Sequence, residues 1–302
     1  MRSKYILLLF LSQIIILANC AKREQTSDKI NIVVSISPLA EFTEKVGGDK
    51  VNVAVMIPEG ASPHSYEPKP SQLVKVSKAD AYIKVGTPIE FELMWIDKLI
   101  SMNKKMSIID ASENIKSIFS EHEHAHDTHD HEHEHKSDRA EKADPHIWLS
   151  PENARIMVQT IYEALKKIDP KNLDYFKRNT DAYLHELHTL DNEIASKLAD
   201  KTNRKFMIYH PAWGYFADHY NLEQIAIEKE GKEPTAKGIQ HVIRQAKNNN
   251  IKIIFVSPQF QVSSAELIAR EINGKVELIS PMAKDYIKNI NTFAQLLFDS
   301  ME

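Results

Sequence analysis

Residues 30–57 read INIVVSISPLAEFTEKVGGDKVNVAVMI, and this stretch decides the fold. Its first seven residues, Ile30–Ile36, form a β-branched run of strand length, and Ser37-Pro38 then leads into a short helix. A second β-branched run follows at Val51–Ile57. Strand, helix and strand in this order predict a mainly parallel sheet that is covered by helices on both faces.

The same alternation continues on both sides of a central helical region. Further strands are predicted at 81–85, 107–110, 205–209, 222–227, 252–256 and 276–279. Further helices are predicted at 70–79, 235–247, 263–272 and 284–300. The strands therefore fall into two groups, which predicts two α/β lobes.

The central region contains two helical patterns, at Pro151–Ile168 and Lys171–Ala199. The second is longer than one small domain needs at about 1.5 Å per residue, so it can run along both lobes. The predicted fold is α/β, with two lobes, each a mainly parallel sheet flanked by helices, joined by one long rigid helix. The predicted boundaries are 27–170 for the first lobe, 171–200 for the connecting helix and 201–302 for the second lobe.

The amino terminus is typical of an export signal. Arg2 and Lys4 precede the nearly continuous apolar run Tyr5–Ala18, which is too short to span a bilayer comfortably. Cys20 follows that run and resembles a bacterial lipoprotein processing site. We expect residues 1–20 to be a signal peptide. The mature chain would then be periplasmic or at the cell surface, lipid-anchored if Cys20 is acylated, and without thiolate ligands.

Composition excludes several classes of partner. The formal net charge is −4 and no basic stripe is present, so nucleic acid is not expected as a partner. Only 8 glycines occur, and no G-x-G-x-x-G or other phosphate-cradling loop is found, which argues against a nucleotide cofactor.

A histidine-rich segment interrupts the alternation at 121–143. Its acidic and imidazole side chains cannot build a core, so the segment is predicted to be a disordered loop. Imidazole favours Zn²⁺, Ni²⁺ or Cu²⁺, which predicts an accessory metal loop, with a solvated tether as the alternative. Its histidines are His122, His124, His126, His129, His131, His133 and His135.

Three isolated histidines lie in loops next to predicted strands or helices. His64 and His210 each follow a strand, one in each lobe, and His146 precedes a helix. Ligands of open α/β sheets bind beyond the carboxyl ends of the strands. A site shared by the three would lie in the cleft between the lobes, and neutral imidazoles suit Zn²⁺. Taken singly, a histidine in such a loop is more often an ordinary surface or hydrogen-bonded residue, so spacing alone does not establish the site.

The segments that carry these histidines resemble the metal-site segments of a known family. They are Pro58–His64, Asp144–Leu149 and Tyr209–Phe216. The family comprises the zinc- and manganese-specific solute-binding proteins of bacterial ABC uptake systems, called cluster A-I or cluster 9. The motif order, the histidine-rich segment and the Glu233-Pro234-Thr235 turn fit as well, so the resemblance covers nearly all of the chain after the signal.

The resemblance implies a metal held between the lobes by His64, His146 and His210. His210 stands where manganese binders often carry Glu, which favours zinc. Ser280 stands where the family often supplies a fourth ligand from Asp. The fourth ligand is therefore expected to be a water molecule or Asp285.

The function that the resemblance implies is extracytoplasmic zinc binding and delivery of Zn²⁺ to an ABC permease, by a monomer without catalytic activity. One alternative is a zinc-dependent hydrolase with water on an open coordination position. Others are a manganese-specific binder or a surface adhesin with the same fold.

The remaining polar candidates are expected on solvated faces. His185 and His188 lie three residues apart on the long helix, and Glu228, Glu230 and Glu233 form a charged turn. Four aromatic residues next to the ligand segments are expected in the core: Trp148, Trp213, Tyr215 and Phe216.

Overall fold

A computed structural model of the protein describes residues 29–119, 143–229 and 231–301. Two four-stranded sheets lie in this part of the chain, and every strand pairing in them is parallel. The strands of the first sheet are β1 Ile30–Ile36, β2 Val51–Ile57, β3 Ala81–Lys84 and β4 Ser107–Asp110, in the order β2-β1-β3-β4. Those of the second are β5 Lys205–Ile208, β6 Glu223–Ala226, β7 Ile253–Val256 and β8 Lys275–Leu278, in the order β6-β5-β7-β8.

Helices cover and connect these sheets. In the first half they are α1 Ser37–Gly47, α2 Pro70–Ser77, α3 Glu90–Met102 and α4 Pro151–Ile168. The long helix α5 spans Leu173–Leu198, after a short 3₁₀ turn at Pro170–Asn172. In the second half they are α6 Gly214–His219, α7 Ala236–Asn248, α8 Ser263–Glu271 and α9 Tyr286–Ser300. The predicted fold class is confirmed.

Two helices were not predicted from the sequence. Helix α3 presents Leu93 and Met94 to solvent, so its apolar residues do not form a single stripe. Helix α6 is only six residues long and contains two buried aromatic residues, Tyr215 and Phe216. Neither segment therefore shows the amphipathic period on which sequence assignment depends.

One apolar core runs through both lobes. It joins Val34 of β1 to Leu187 of α5 and Phe255 of β7, and Phe293 of α9 lies in the same cluster. A second, smaller cluster lies on the other face of the second sheet, under α7 and α8. Because the main core crosses from one sheet to the other, relative motion of the lobes would expose apolar surface to water, at about 25 cal/mol per Å².

Polar contacts reinforce this junction. The indole Nε1 of Trp148, which precedes α4, donates to the carbonyl oxygen of Pro281, after β8, at 2.7 Å. Glu41 of α1 accepts a hydrogen bond from Tyr183 of α5 at 2.7 Å and another from the backbone N–H of Tyr286, at the start of α9, at 2.6 Å. The first lobe is thus bonded both to the long helix and to the second lobe.

Residues 1–28 and 120–142 lie outside the described residues. These two segments contain the predicted export signal, Cys20 and the seven histidines of the histidine-rich segment. At the two ends of the second gap, Phe119 and Ala143 form an antiparallel β-bridge. In the described part of the chain, no helix combines the length and apolar character needed to cross a membrane.

Replacing Trp148 with Phe should lower the free energy of unfolding by about 1–3 kcal/mol, because the buried Pro281 carbonyl loses its donor. Urea denaturation monitored by circular dichroism would measure this loss. The control is Trp95→Phe, at a partly buried tryptophan on α3 that is covered by Lys98. An equal loss in the two variants would contradict a special contribution of the interlobe hydrogen bond.

Candidate metal centre

The three candidate histidines meet between the lobes. His64 lies in the loop after β2, His210 lies two residues after β5, and His146 lies just before α4. The ring centroid of His210 is 5.2 Å from that of His64 and 5.2 Å from that of His146, with both contacts close to perpendicular. Three loops that are distant in sequence therefore bring three imidazoles together.

His146 is held by the aspartate two residues before it. Asp144 Oδ1 lies 2.9 Å from both the backbone nitrogen and the ring Nδ1 of His146, and both residues are buried. Asp144 also packs against the start of α6, where a Cβ atom on Gly214 would lie 2.2 Å from Asp144 Oδ2. Only glycine leaves room for this carboxylate, so the second lobe helps to position a histidine of the first.

His210 is held by Glu228 on the neighbouring strand. In the parallel pairing of β5 with β6, Ile208 lies opposite Ala226, so the residues two positions further on lie side by side. His210 Nδ1 is 2.7 Å from Glu228 Oε1, and both residues are buried. Burial lowers the pKa of His210, and the hydrogen bond to Glu228 partly opposes this shift.

His64 is held by Glu90, the first residue of α3. Its Nδ1 lies 2.8 Å from Glu90 Oε1, and the side chains are 32% and 46% exposed. The hydrogen bond to Glu90 raises the pKa of His64, and the same contact lowers the pKa of Glu90. This pair is the most exposed of the three.

Each imidazole therefore uses Nδ1 to bond a carboxylate. A carboxylate only accepts hydrogen bonds, so Nδ1 carries the proton and the neutral ring keeps its lone pair on Nε2. The Nε2 atoms of His146 and His210 are 3.4 Å apart. Two ligands at about 2.0–2.1 Å from a tetrahedral zinc are separated by roughly this distance. Carboxylates that orient metal-binding histidines through the other ring nitrogen are a recurring feature of zinc sites.

The three histidines are neighbours, but they do not yet form a complete metal site. Among residues 29–119, 143–229 and 231–301, no three His, Cys, Asp or Glu side chains are close enough together to hold a metal ion as they stand. The Ser280 hydroxyl accepts a hydrogen bond from the backbone N–H of Met282 at 3.1 Å. Asp285 precedes α9 and lines a groove of about 800 Å³ together with Glu41 and Lys284.

Two of the three carboxylates that bond the histidines were not identified from the sequence. The interpretation of Glu228 as part of a solvated turn is wrong, because the residue is 5% exposed and bonded to His210. Glu90 was not recognised as a candidate, because the helix that it begins, α3, was not predicted. Asp144 lies within a segment that carried the family resemblance, without an assigned role.

The remaining polar candidates and the aromatic residues near the site were expected to be exposed and buried, respectively. Glu233 is exposed as expected, and Glu230 lies outside the described residues. His185 and His188 are exposed, as expected for a solvated face of the long helix. All four aromatic residues expected in the core are buried: Trp148, Trp213, Tyr215 and Phe216.

In the metal-free protein, His64 should titrate above the ordinary histidine pKa of about 6.5 and His210 below it. Glu90→Gln removes the charge that raises the pKa of His64, so that pKa should fall while that of His210 stays nearly constant. Two-dimensional NMR of the imidazole protons, assigned with His64→Gln and His210→Gln, would measure both. The control is Glu152→Gln, at a glutamate paired with Arg155. An unchanged His64 titration in Glu90→Gln would contradict the assigned pairing.

Comparison with known proteins identifies relatives of this chain. The family model described as ZnuA, zinc-uptake complex component A, periplasmic, matches residues 32–299. The zinc-binding lipoprotein AdcA of Streptococcus pneumoniae (strain ATCC BAA-255 / R6) is 30% identical over 274 residues, covering 88% of this chain and 52% of AdcA. The chain thus spans about half the length of this curated relative.

Solved structures agree with the family match. A crystal structure of ZnuA is 40% identical with a TM-score of 0.81, covering 90% of this chain and 99% of that one. A ZnuA deletion mutant with zinc bound is 40% identical with a TM-score of 0.80, covering 90% and 98%. The fold, the three histidine segments and the match over residues 32–299 lead to one conclusion: the chain belongs to the family of the periplasmic zinc-uptake complex component A.

Proposed function

We propose that this protein captures Zn²⁺ outside the cytoplasm and delivers it to the permease of an ABC uptake system. The observation that carries the proposal is the set of three histidines between the lobes, each with Nδ1 bonded to a carboxylate and Nε2 left for a cation. Membership of the zinc-uptake family supports the same function.

The donor set favours zinc over manganese. Imidazole nitrogen is a preferred ligand of Zn²⁺, whereas Mn²⁺ favours carboxylate and water oxygen. The carboxylates that contact the three rings are each engaged with an Nδ1–H, so nitrogen is the donor that faces the cation. Two neutral Nε2 atoms 3.4 Å apart direct their lone pairs at each other and repel unless a proton or a cation lies between them.

Binding would proceed from a preformed pair to a complete site. His146 and His210 are buried and already at the spacing of two zinc ligands, whereas His64 is partly exposed. We propose that zinc first meets the buried pair and that His64 then turns towards it while keeping Glu90 as its partner. A water molecule would complete a tetrahedral shell, since the Ser280 hydroxyl is engaged with Met282 N–H and Asp285 lines a separate groove.

The same arrangement supports transport over hydrolysis. A zinc hydrolase needs a general base near the metal-bound water. Asp144, Glu90 and Glu228 are each engaged with an imidazole, so none of them is free for that role. Because both lobes share one core, we expect metal binding to order the His64 loop and tilt the lobes slightly, without wide closure.

Location and assembly follow from the family and the amino terminus. We propose that the residues before Cys20 direct export and that Cys20 is the lipidated first residue of a monomeric mature protein. The family description as periplasmic and the lipoprotein AdcA support an extracytoplasmic location. We propose further that the histidine-rich segment is an accessory metal loop, since imidazole favours Zn²⁺.

A variant that lacks residues 121–142 should bind one zinc tightly. In that background His210→Ala should weaken the affinity at least about a hundredfold, because even the loss of a residue that only orients a ligand costs about 10–100-fold. Competition with a chromophoric chelator, combined with metal analysis by mass spectrometry, would measure both. The control is His188→Ala, an exposed histidine bonded to Asn192. Absence of tight zinc in the deletion variant would disprove the three-histidine site and assign zinc binding to the histidine-rich segment.

Zinc affinity should fall as the pH drops. A ligand histidine must lose its second proton to bind the metal, and Glu90 holds the pKa of His64 above about 6.5, so proton competition begins above that pH. Affinity measured by chelator competition from pH 8 to pH 5 should be nearly constant at the alkaline end and decline steadily below the pKa of His64. A flat affinity across this range would argue against ligation by histidine.

A further inference from the structure

One aromatic side chain contacts the candidate centre without belonging to any of its ligand segments. Phe260, in the loop between β7 and α8, stacks on the imidazole of His210, with ring centroids 5.1 Å apart and planes inclined by 26°. The contacts of His64 and His146 with His210 are close to perpendicular. Phe260 therefore covers a face of the His210 ring, while the other two histidines meet it edge to face.

The sheet places Phe260 over His210. Ile208 of β5 lies opposite Phe255 of β7, so His210 is level with Ser257, where the chain leaves β7. Residues 257–260 form a tight turn closed by a hydrogen bond from Phe260 N–H to the Ser257 carbonyl oxygen at 3.0 Å. Pro258 occupies the second position of this turn, where its restricted backbone is favoured.

Apolar packing keeps the Phe260 side chain in place. It belongs to the smaller hydrophobic cluster and packs beside Tyr209, with ring centroids 5.5 Å apart. The residue is partly buried, and its ring contacts both this cluster and the imidazole of His210. Although Phe260 lies in a loop, its side chain is therefore anchored in the second lobe by packing.

Stacking and hydrogen bonding restrain different motions of the imidazole. The bond from Nδ1 to Glu228 fixes one direction within the ring plane, but the ring can still tilt about that bond. A stacked neighbour resists that tilt, because tilting would disturb the van der Waals contact between the two rings. Together the two contacts keep His210 Nε2 directed at His146 Nε2.

From these contacts, and resting on the proposed zinc site, we propose that Phe260 is a positioning residue for His210. It keeps the ligand nitrogen aimed at the metal and excludes water from that side of the ring. Its loss should change how long zinc stays bound and how the ion is coordinated, more than it changes the stability of the fold.

The test compares zinc release and cobalt spectra in the full chain. Zinc release into excess chelator is followed by stopped flow, and the slow phase lost in His210→Ala is taken as the cleft site. In Phe260→Ala we expect that phase to be roughly three to ten times faster, the range of one aromatic contact. We also expect the visible absorption of substoichiometric Co²⁺ to shift and weaken, because the geometry at the metal changes.

Two further variants separate positioning from packing. Phe260→Leu keeps an apolar side chain, so it should restore thermal stability but not the slow release or the cobalt spectrum. Phe298→Ala removes a partly buried ring that contacts Lys201, and should leave both metal readouts unchanged. Wild-type release and spectrum in Phe260→Ala, or full recovery in Phe260→Leu, would overturn the role of the ring. Absence of a slow phase in the wild-type protein would overturn the zinc site itself, and this proposal with it.

Discussion

The shared apolar core is the constraint on which the rest of the molecule depends. Two parallel sheets with the same relative strand order pack through α5 and α9 into one cluster, so neither lobe has a complete core alone. The cleft between the lobes therefore forms only when the two lobes fold together. Trp148 lies two residues from His146 and donates across the junction to Pro281, which fixes a ligand segment of the first lobe to a loop of the second.

Within that frame, the candidate centre has a rigid part and an adjustable part. Asp144 and Glu228 hold His146 and His210 in buried surroundings, where a carboxylate is costly unless it is fully engaged. Glu90 holds His64 in a half-exposed position, where solvent reduces that cost. In the proposed zinc site, the two buried pairs would define where the cation sits, and the more exposed pair would allow it to enter and leave.

The sequence predicted the fold better than the site, for a physical reason. Strands such as Val51–Ile57 carry a local pattern that survives in the structure with its bounds unchanged. The rule that ligands gather beyond strand ends identified His210, and applied to the next strand it would also have identified Glu228. The pairing of Glu90 with His64 could not be predicted, because it depends on α3, which lacks a clear period. The Trp148 hydrogen bond joins residues 133 positions apart and leaves no local trace.

The bridge between Phe119 and Ala143 has a consequence for how this protein can change over evolution. The bridge holds the two ends of the intervening segment side by side. The segment can therefore vary in length with little effect on the rest of the fold. Loop closure becomes only about 0.6 kcal/mol less favourable with each doubling of length. The fold can therefore tolerate changes in the length and composition of this stretch, while Asp144 and His146, a few residues downstream, keep their hydrogen bond.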